Sequence, residues 1–91
     1  MKIQGEVMRK ELIRLIRRTA FRLLNIGYSP IKITIANKHE FQLTYYFSQL
    51  KNKWILDIIY LKAVTLAKET SEKLFYKIVR VHGWKYEIQS N

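Results

Sequence analysis

The sequence predicts an α+β fold: a two-layer single domain in α-β-β-β-α order, with room for a short C-terminal strand. The chain has 91 residues, of which 48% are hydrophobic, enough for one core but too few for two domains. The spacing of the hydrophobic residues changes from about 3.6 to 2 and back to about 3.6 along the chain, as helices flanking a sheet require. We therefore treat residues 1–91 as one compact basic domain.

The first predicted element is a helix over residues 7–26. Hydrophobic residues recur on one side of a helical wheel, while Lys and Arg fill the other side. Gly27 suits the left-handed position that ends a helix, and Pro30 prevents its continuation. The side that should face the core carries Met8, Leu12, Leu15, Ile16, Thr19, Ala20, Leu23 and Ile26.

Two strands of a β-hairpin are predicted next. The segments IKITIA (31–36) and FQLTYYF (41–47) alternate between apolar and other residues, and NKHE between them is typical of a turn in which Asn37 tolerates unusual φ. If the helices cover only the apolar face, the other face is open, and an exposed tyrosine there suits single-stranded nucleic acid. That other face consists of Lys32, Thr34, Gln42, Thr44 and Tyr46.

Three further elements complete the prediction. Residues 53–61 favour a third strand because they are β-branched and aromatic, with Trp54, Leu56, Ile58 and Tyr60 inward; a helix from about Asn52 stays open as the alternative. A second helix is predicted from Ala63 to a stop at Gly83, and WKYEI (84–88) is interpreted as a short edge strand. The core face predicted for this second helix is Ala63, Ala67, Thr70, Leu74, Ile78 and Val81.

The order of these elements resembles that of double-stranded-RNA-binding domains. Such domains begin their last helix with a basic, alanine-rich segment that lies over the RNA phosphates. The corresponding segment here, LKAVTLAKET, contains only Lys62 and Lys68, and the glycine- and proline-rich loops are missing. The resemblance therefore covers the order of elements alone, and we identify no family.

Charge is the strongest compositional signal. The chain has 17 Lys and Arg residues against 7 Asp and Glu, a formal net charge of +10. Beyond serving solubility, such an excess indicates a polyanionic partner: nucleic acid, an acidic protein or an acidic lipid surface. There is no cysteine, which excludes disulfides and thiolate metal sites and agrees with an intracellular, cytoplasmic protein.

The residues that would support catalysis are scattered. His39 and His82 have no acidic or thiol neighbours at metal-ligand spacing, and the glycines are isolated, so there is no phosphate-binding loop. Asp57 lies inside an apolar run, where we interpret it as a polar residue of an edge strand or as the partner of a lysine beside the core. We expect no enzyme activity, no metal and no cofactor.

The candidate binding residues lie on the two helices. Arginine suits phosphate because its planar guanidinium donates two hydrogen bonds at once. Phe21, in the middle of the first basic face, either stacks on a base or docks into a partner's pocket, or else it packs under WKYEI or covers an edge of the core. The first basic face consists of Lys10, Arg14, Arg17, Arg18, Phe21 and Arg22, and the second of Lys73, Tyr76, Lys77 and Arg80.

We therefore expect a non-catalytic nucleic-acid-binding module that contacts the phosphate backbone of DNA or RNA, including RNA within a ribonucleoprotein assembly. The alternative is a small protein-interaction module, an inhibitor or adaptor of the kind found in mobile elements, docking on an acidic surface. A membrane-lying role would require residues 9–24 to leave the core, so we do not expect it. The free edge of the hairpin leaves pairing with a second copy open.

Overall fold

The computed structural model describes residues 2–6, 12–83 and 85–90. A two-layer α+β domain is confirmed: two helices lie on one face of a five-stranded antiparallel sheet with strand order β1-β5-β2-β3-β4. A short 3-10 helix, Leu61–Ala63, follows β4. The elements are β1 (Lys2–Glu6), α1 (Leu12–Asn25), β2 (Ile31–Ile35), β3 (His39–Ser48), β4 (Lys53–Tyr60), α2 (Lys68–His82) and β5 (Lys85–Ser90).

The core lies between the helices and one face of the sheet. β2 alternates as predicted, with Ile31, Ile33 and Ile35 fully buried, because one face of an antiparallel strand packs on the core while the other stays open. The two helices contact each other as well as the sheet. The rest of the core comprises Ile16, Ala20, Leu23 and Leu24 from α1, Phe75, Ile78 and Val79 from α2, and Phe41, Leu43, Ile58, Tyr86 and Ile88 from the sheet.

The predicted end of α1 and the β2–β3 turn are both confirmed. Gly27 has φ +100°, and the N–H of Tyr28 donates to the carbonyl of Leu23 at 3.0 Å, as in a helix that ends through a left-handed glycine. Ala36 and Asn37 both have positive φ in the turn. Ile26, which was predicted to face the core, is 63% exposed because the helix ends at Asn25.

The prediction for α2 is wrong at its start and partly wrong in its buried face, of which Leu74 and Ile78 are confirmed. The helix begins at Lys68 rather than Ala63, because the chain leaves the edge strand β4 at Tyr60 and needs residues 61–67 to reach the helical layer. The buried side is consequently rotated: Thr70 and Val81 are exposed. The residues of α2 that are buried are Ser71, Phe75, Ile78 and Val79.

The ends of the chain form strands beside each other. Residues 53–60 form a strand, as favoured for 53–61, and not a helix, while Leu61 begins the 3-10 helix. The C-terminal strand exists, but β5 lies between β1 and β2 rather than at the edge of the sheet. The sequence prediction missed β1, a five-residue segment that pairs with β5 from Lys2↔Gln89 to Glu6↔Lys85. Trp84 and residues 7–11 of the predicted first helix lie outside the described residues.

We expect Ile33→Ala to lower the free energy of unfolding by about 2–5 kcal/mol, because the substitution leaves a cavity in the closest-packed part of the core. Ile33 is fully buried and central in the sheet. The matched control is Thr34→Ala on the open face of the same strand, for which we expect a change within about 0.5 kcal/mol. Urea unfolding of both variants measures the difference; equal losses would contradict this assignment of faces.

Candidate nucleic-acid interface

The basic face of α1 is open to solvent. Arg14, Arg17, Arg18 and Arg22 are all exposed, while the opposite side of the helix supplies the core. Within residues 12–83, none of these four guanidinium groups forms an ion pair with a carboxylate. Lys10, predicted to belong to the same stripe, lies outside the described residues. Because no carboxylate of residues 12–83 neutralises their charges, the four arginines can bind an anion.

Phe21 joins this basic face to the sheet. Its ring is half-buried and meets the ring of Tyr45 on β3 edge to face, with 6.2 Å between centroids. The guanidinium of Arg17 lies over the ring of Phe21, 5.4 Å from its centroid, within the range of a cation–π interaction. Phe21 therefore covers an edge of the core against β3, which is one of the alternatives proposed for it. The same ring also contacts Arg17.

The basic residues of α2 form a second exposed stripe. Lys73, Lys77 and Arg80 are exposed and follow one another at helical spacing. Tyr76 is half-buried, packed against the core and in an edge-to-face contact with Phe75 at 5.5 Å. Since α1 and α2 contact each other, both basic stripes belong to the helical layer of the domain.

The β3–β4 hairpin extends beyond the rest of the sheet. The first residue of β2, Ile31, pairs with Leu43, so β2 offers no partner to the last five residues of β3. β4 continues to pair with that segment as far as Ser48↔Lys53. At this point Ser29, in the loop before β2, accepts a hydrogen bond from the backbone N–H of Tyr45 at 3.1 Å. We call residues 44–56 the hairpin extension.

An aromatic row lies on the helix-facing side of this hairpin extension. Tyr45 stacks on Trp54, with 5.1 Å between centroids and 22° between planes, and Phe47 meets Trp54 edge to face at 5.7 Å. Trp54 is 59% exposed and Phe47 45% exposed. With Phe21, these three residues make a continuous series of ring contacts from α1 to the end of the hairpin, which we call the aromatic row.

The sequence prediction missed the aromatic row because it assigned these residues to the core. Phe47 and Trp54 do lie on the face that was predicted to be inward, but the helices do not extend over them. The alternating patterns in the sequence, residues 31–36 and 41–47, are similar in length and gave no sign of this difference, whereas in the structure β2 has five residues and β3 has ten.

The other face of the sheet is open, as predicted. Tyr46 lies on it and is 40% exposed. Lys32 and Glu40 form an ion pair there at 3.9 Å, so this face has carboxylates beside its lysine. Its charge is thus partly neutralised, in contrast to that of α1.

Asp57 lies on the edge strand β4 and forms an ion pair with Lys68, so both interpretations proposed for it are confirmed. Its Oδ1 is buried, and the ammonium of Lys68, the first residue of α2, contacts this oxygen. Apart from that ion pair, Oδ1 has no hydrogen-bond donor among the described residues. The contact with the Asp57 carboxylate raises the pKa of Lys68. This pair ties the start of α2 to the edge strand.

The two histidines meet at the opposite end of the hairpin. The rings of His39 and His82 stack at 5.8 Å, and Nδ1 of His39 lies 3.2 Å from the hydroxyl of Tyr60. Desolvation by burial lowers the pKa of His39, and the positive charges of Lys38, His82 and Lys62 lower it further. Within the described ranges, no three His, Cys, Asp or Glu residues lie close enough to hold a metal ion.

Comparison of the chain with protein-family models, curated proteins and solved structures gives no match. In the described part of the chain, no helix is both long enough and apolar enough to cross a membrane.

We expect Lys68→Met to lower the free energy of unfolding by about 1 kcal/mol, because it leaves the buried Oδ1 of Asp57 without its compensating charge. The value lies at the low end for such losses, since the Lys68 side chain is about half exposed and water screens the pair. Lys73→Met, at an exposed position of the same helix, is the control. Equal effects of the two substitutions in urea unfolding would show that the ion pair contributes nothing.

We expect the protein to lose stability as the pH falls from about 7.5 to about 5.5, and His39→Gln to reduce that loss. The pKa of His39 is lower in the folded state than its ordinary value of about 6.5, so the unfolded chain takes up the proton first. The stability is complete above about pH 6.5 and is lost as the pH falls through the folded-state pKa. Urea unfolding at both pH values measures the effect; identical pH dependence of wild type and His39→Gln would contradict it.

Proposed function

We propose that this protein is a non-catalytic nucleic-acid-binding module that grips the phosphate backbone with the basic faces of its helices. The observation that carries the proposal is the row of four exposed arginines on α1, unneutralised in the described part of the chain. Guanidinium groups bind phosphate bidentately and remain charged at any physiological pH. We place this activity in the cytoplasm, in keeping with the cysteine-free sequence.

The length of the arginine row suits a phosphate backbone. Arg22 follows Arg14 by eight positions, and eight steps of about 1.5 Å make about 12 Å of helix. One strand of duplex DNA presents a phosphate about every 3.4 Å of helix axis, so the row spans three or four phosphates. Lys73, Lys77 and Arg80 on the adjoining helix extend the positive surface. DNA and RNA both satisfy this backbone recognition.

We expect micromolar binding to nucleic acid, with a steep dependence on salt between about 50 and 300 mM. Each phosphate contact contributes about 0.9 to the log–log slope for duplex DNA and about 0.7 for a single strand. The double variant Arg14→Gln/Arg18→Gln should weaken binding and reduce the slope by about 1.4–1.8, because two contacts are removed. Fluorescence anisotropy of labelled duplex DNA, duplex RNA and single-stranded RNA measures both quantities.

The matched control is Lys38→Gln/Lys62→Gln, which removes the same net charge from exposed positions at the opposite end of the hairpin. That variant should retain the wild-type slope. If both double variants lose the same amount, binding follows net charge and has no defined site. If the wild type binds no nucleic acid at about physiological salt, the proposal is wrong.

The second candidate function is docking on an acidic surface of a larger protein, as an inhibitor or adaptor. The observation that favours it is the exposed apolar surface of the hairpin, where Leu50 is 95% exposed beside Phe47 and Trp54. Aromatic residues and arginine are the side chains that most often anchor protein interfaces. Under this alternative, Phe21→Ala and Arg17→Glu should both abolish binding of the partner, whereas phosphate binding should suffer mainly from Arg17→Glu.

A further inference from the structure

We propose that the aromatic row is a stacking platform for the bases of a single-stranded nucleic acid. The proposal rests on the proposed function and deepens it, because it selects single strands over duplexes as the preferred substrate. The phosphates of the strand would lie along the arginines of α1, and its bases would stack on the rings that extend from that helix.

The geometry of the row suits stacking. Trp54 has one face against Tyr45, at 22° between planes, while 59% of the residue is exposed, so a flat aromatic surface is presented to solvent. Phe47 stands edge-on to it at 5.7 Å and adds a second ring, 45% exposed. Stacking on such rings tolerates any base, because every base has a π face.

The row is connected to the phosphate-binding groups by direct contact. Arg17 lies over Phe21 at 5.4 Å, and Phe21 contacts Tyr45 at 6.2 Å. A nucleic-acid strand whose backbone binds Arg17 would therefore have its bases beside the rings of Phe21 and Tyr45. Nucleic-acid-binding proteins of this kind combine a positive track for the backbone with aromatic platforms for the bases.

The charge around the row favours a polyanion as its occupant over a protein. The described residues of α1 (12–25) contain four arginines and no acid. Residues 44–56 contain Lys51 and Lys53, and Asp57, which pairs with Thr44 at the base of the hairpin extension, is matched by Lys68. The described surface beside the aromatic row is thus predominantly positive. A protein partner would need a correspondingly acidic surface, whereas a single strand supplies a phosphate at each nucleotide and an exposed base beside it. A duplex keeps its bases stacked inside and cannot reach the rings.

The test compares a single strand of about 15 nucleotides with a duplex of the same length. We expect the wild type to bind the single strand more tightly. Trp54→Ala should weaken single-strand binding by about 5- to 150-fold, the effect of losing one stacked base, and should leave duplex affinity within about twofold. Leu50→Ala is the matched control, since it removes a 95% exposed apolar side chain from the same hairpin without removing a ring.

A second readout locates the base. The chain has two tryptophans, so Trp84→Phe leaves Trp54 as the only one; its fluorescence should be quenched by the single strand and not by the duplex. Circular dichroism confirms that each variant is folded, and Phe47→Ala replaces Trp54→Ala if the latter unfolds. Equal affinity for single strand and duplex, or a folded ring variant with unchanged single-strand affinity, overturns this inference and leaves the proposed function standing. Binding to neither polymer overturns both and points to a protein as the occupant.

Discussion

The structure depends on one constraint: the apolar face of a single antiparallel sheet must be covered, and two helices are available to cover it. Burying apolar surface is the dominant favourable contribution to folding, so α1 and α2 lie side by side where β2, β5 and the inner half of β3 present their apolar side chains. This placement turns the arginine side of α1 outward, because a helix with one apolar stripe has its polar residues on the opposite side.

The same constraint produces the candidate site. β3 and β4 are longer than β2, so their pairing carries the helix-facing side of the sheet beyond the area that the helices cover. There Tyr45 packs against the margin of the core and against Phe21, and the rings of Tyr45, Trp54 and Phe47 contact one another. A basic helix face and an exposed aromatic surface thus become adjacent without any motif in the chain linking them.

Two contacts between polar side chains connect α2 to the sheet. The ion pair between Asp57 and Lys68 joins the edge strand to the start of α2, where the chain crosses from the sheet to the helical layer. The stack of His39 on His82 joins the start of β3 to the end of the same helix. Together the two contacts join α2 to both β3 and β4.

The sequence by itself determined the α+β class, the end of α1 at Gly27, the hairpin of β2 and β3, and the basic face of α1, because each follows from local periodicity and backbone preference. Only the tertiary structure decided the rest. β1 and the inner position of β5 depend on pairing between the two ends of the chain, and the start of α2 depends on how far the chain must travel from β4. Whether Trp54 would be buried or exposed could not be read from its alternating pattern, since that pattern specifies a face of the sheet and not the extent of the helices above it.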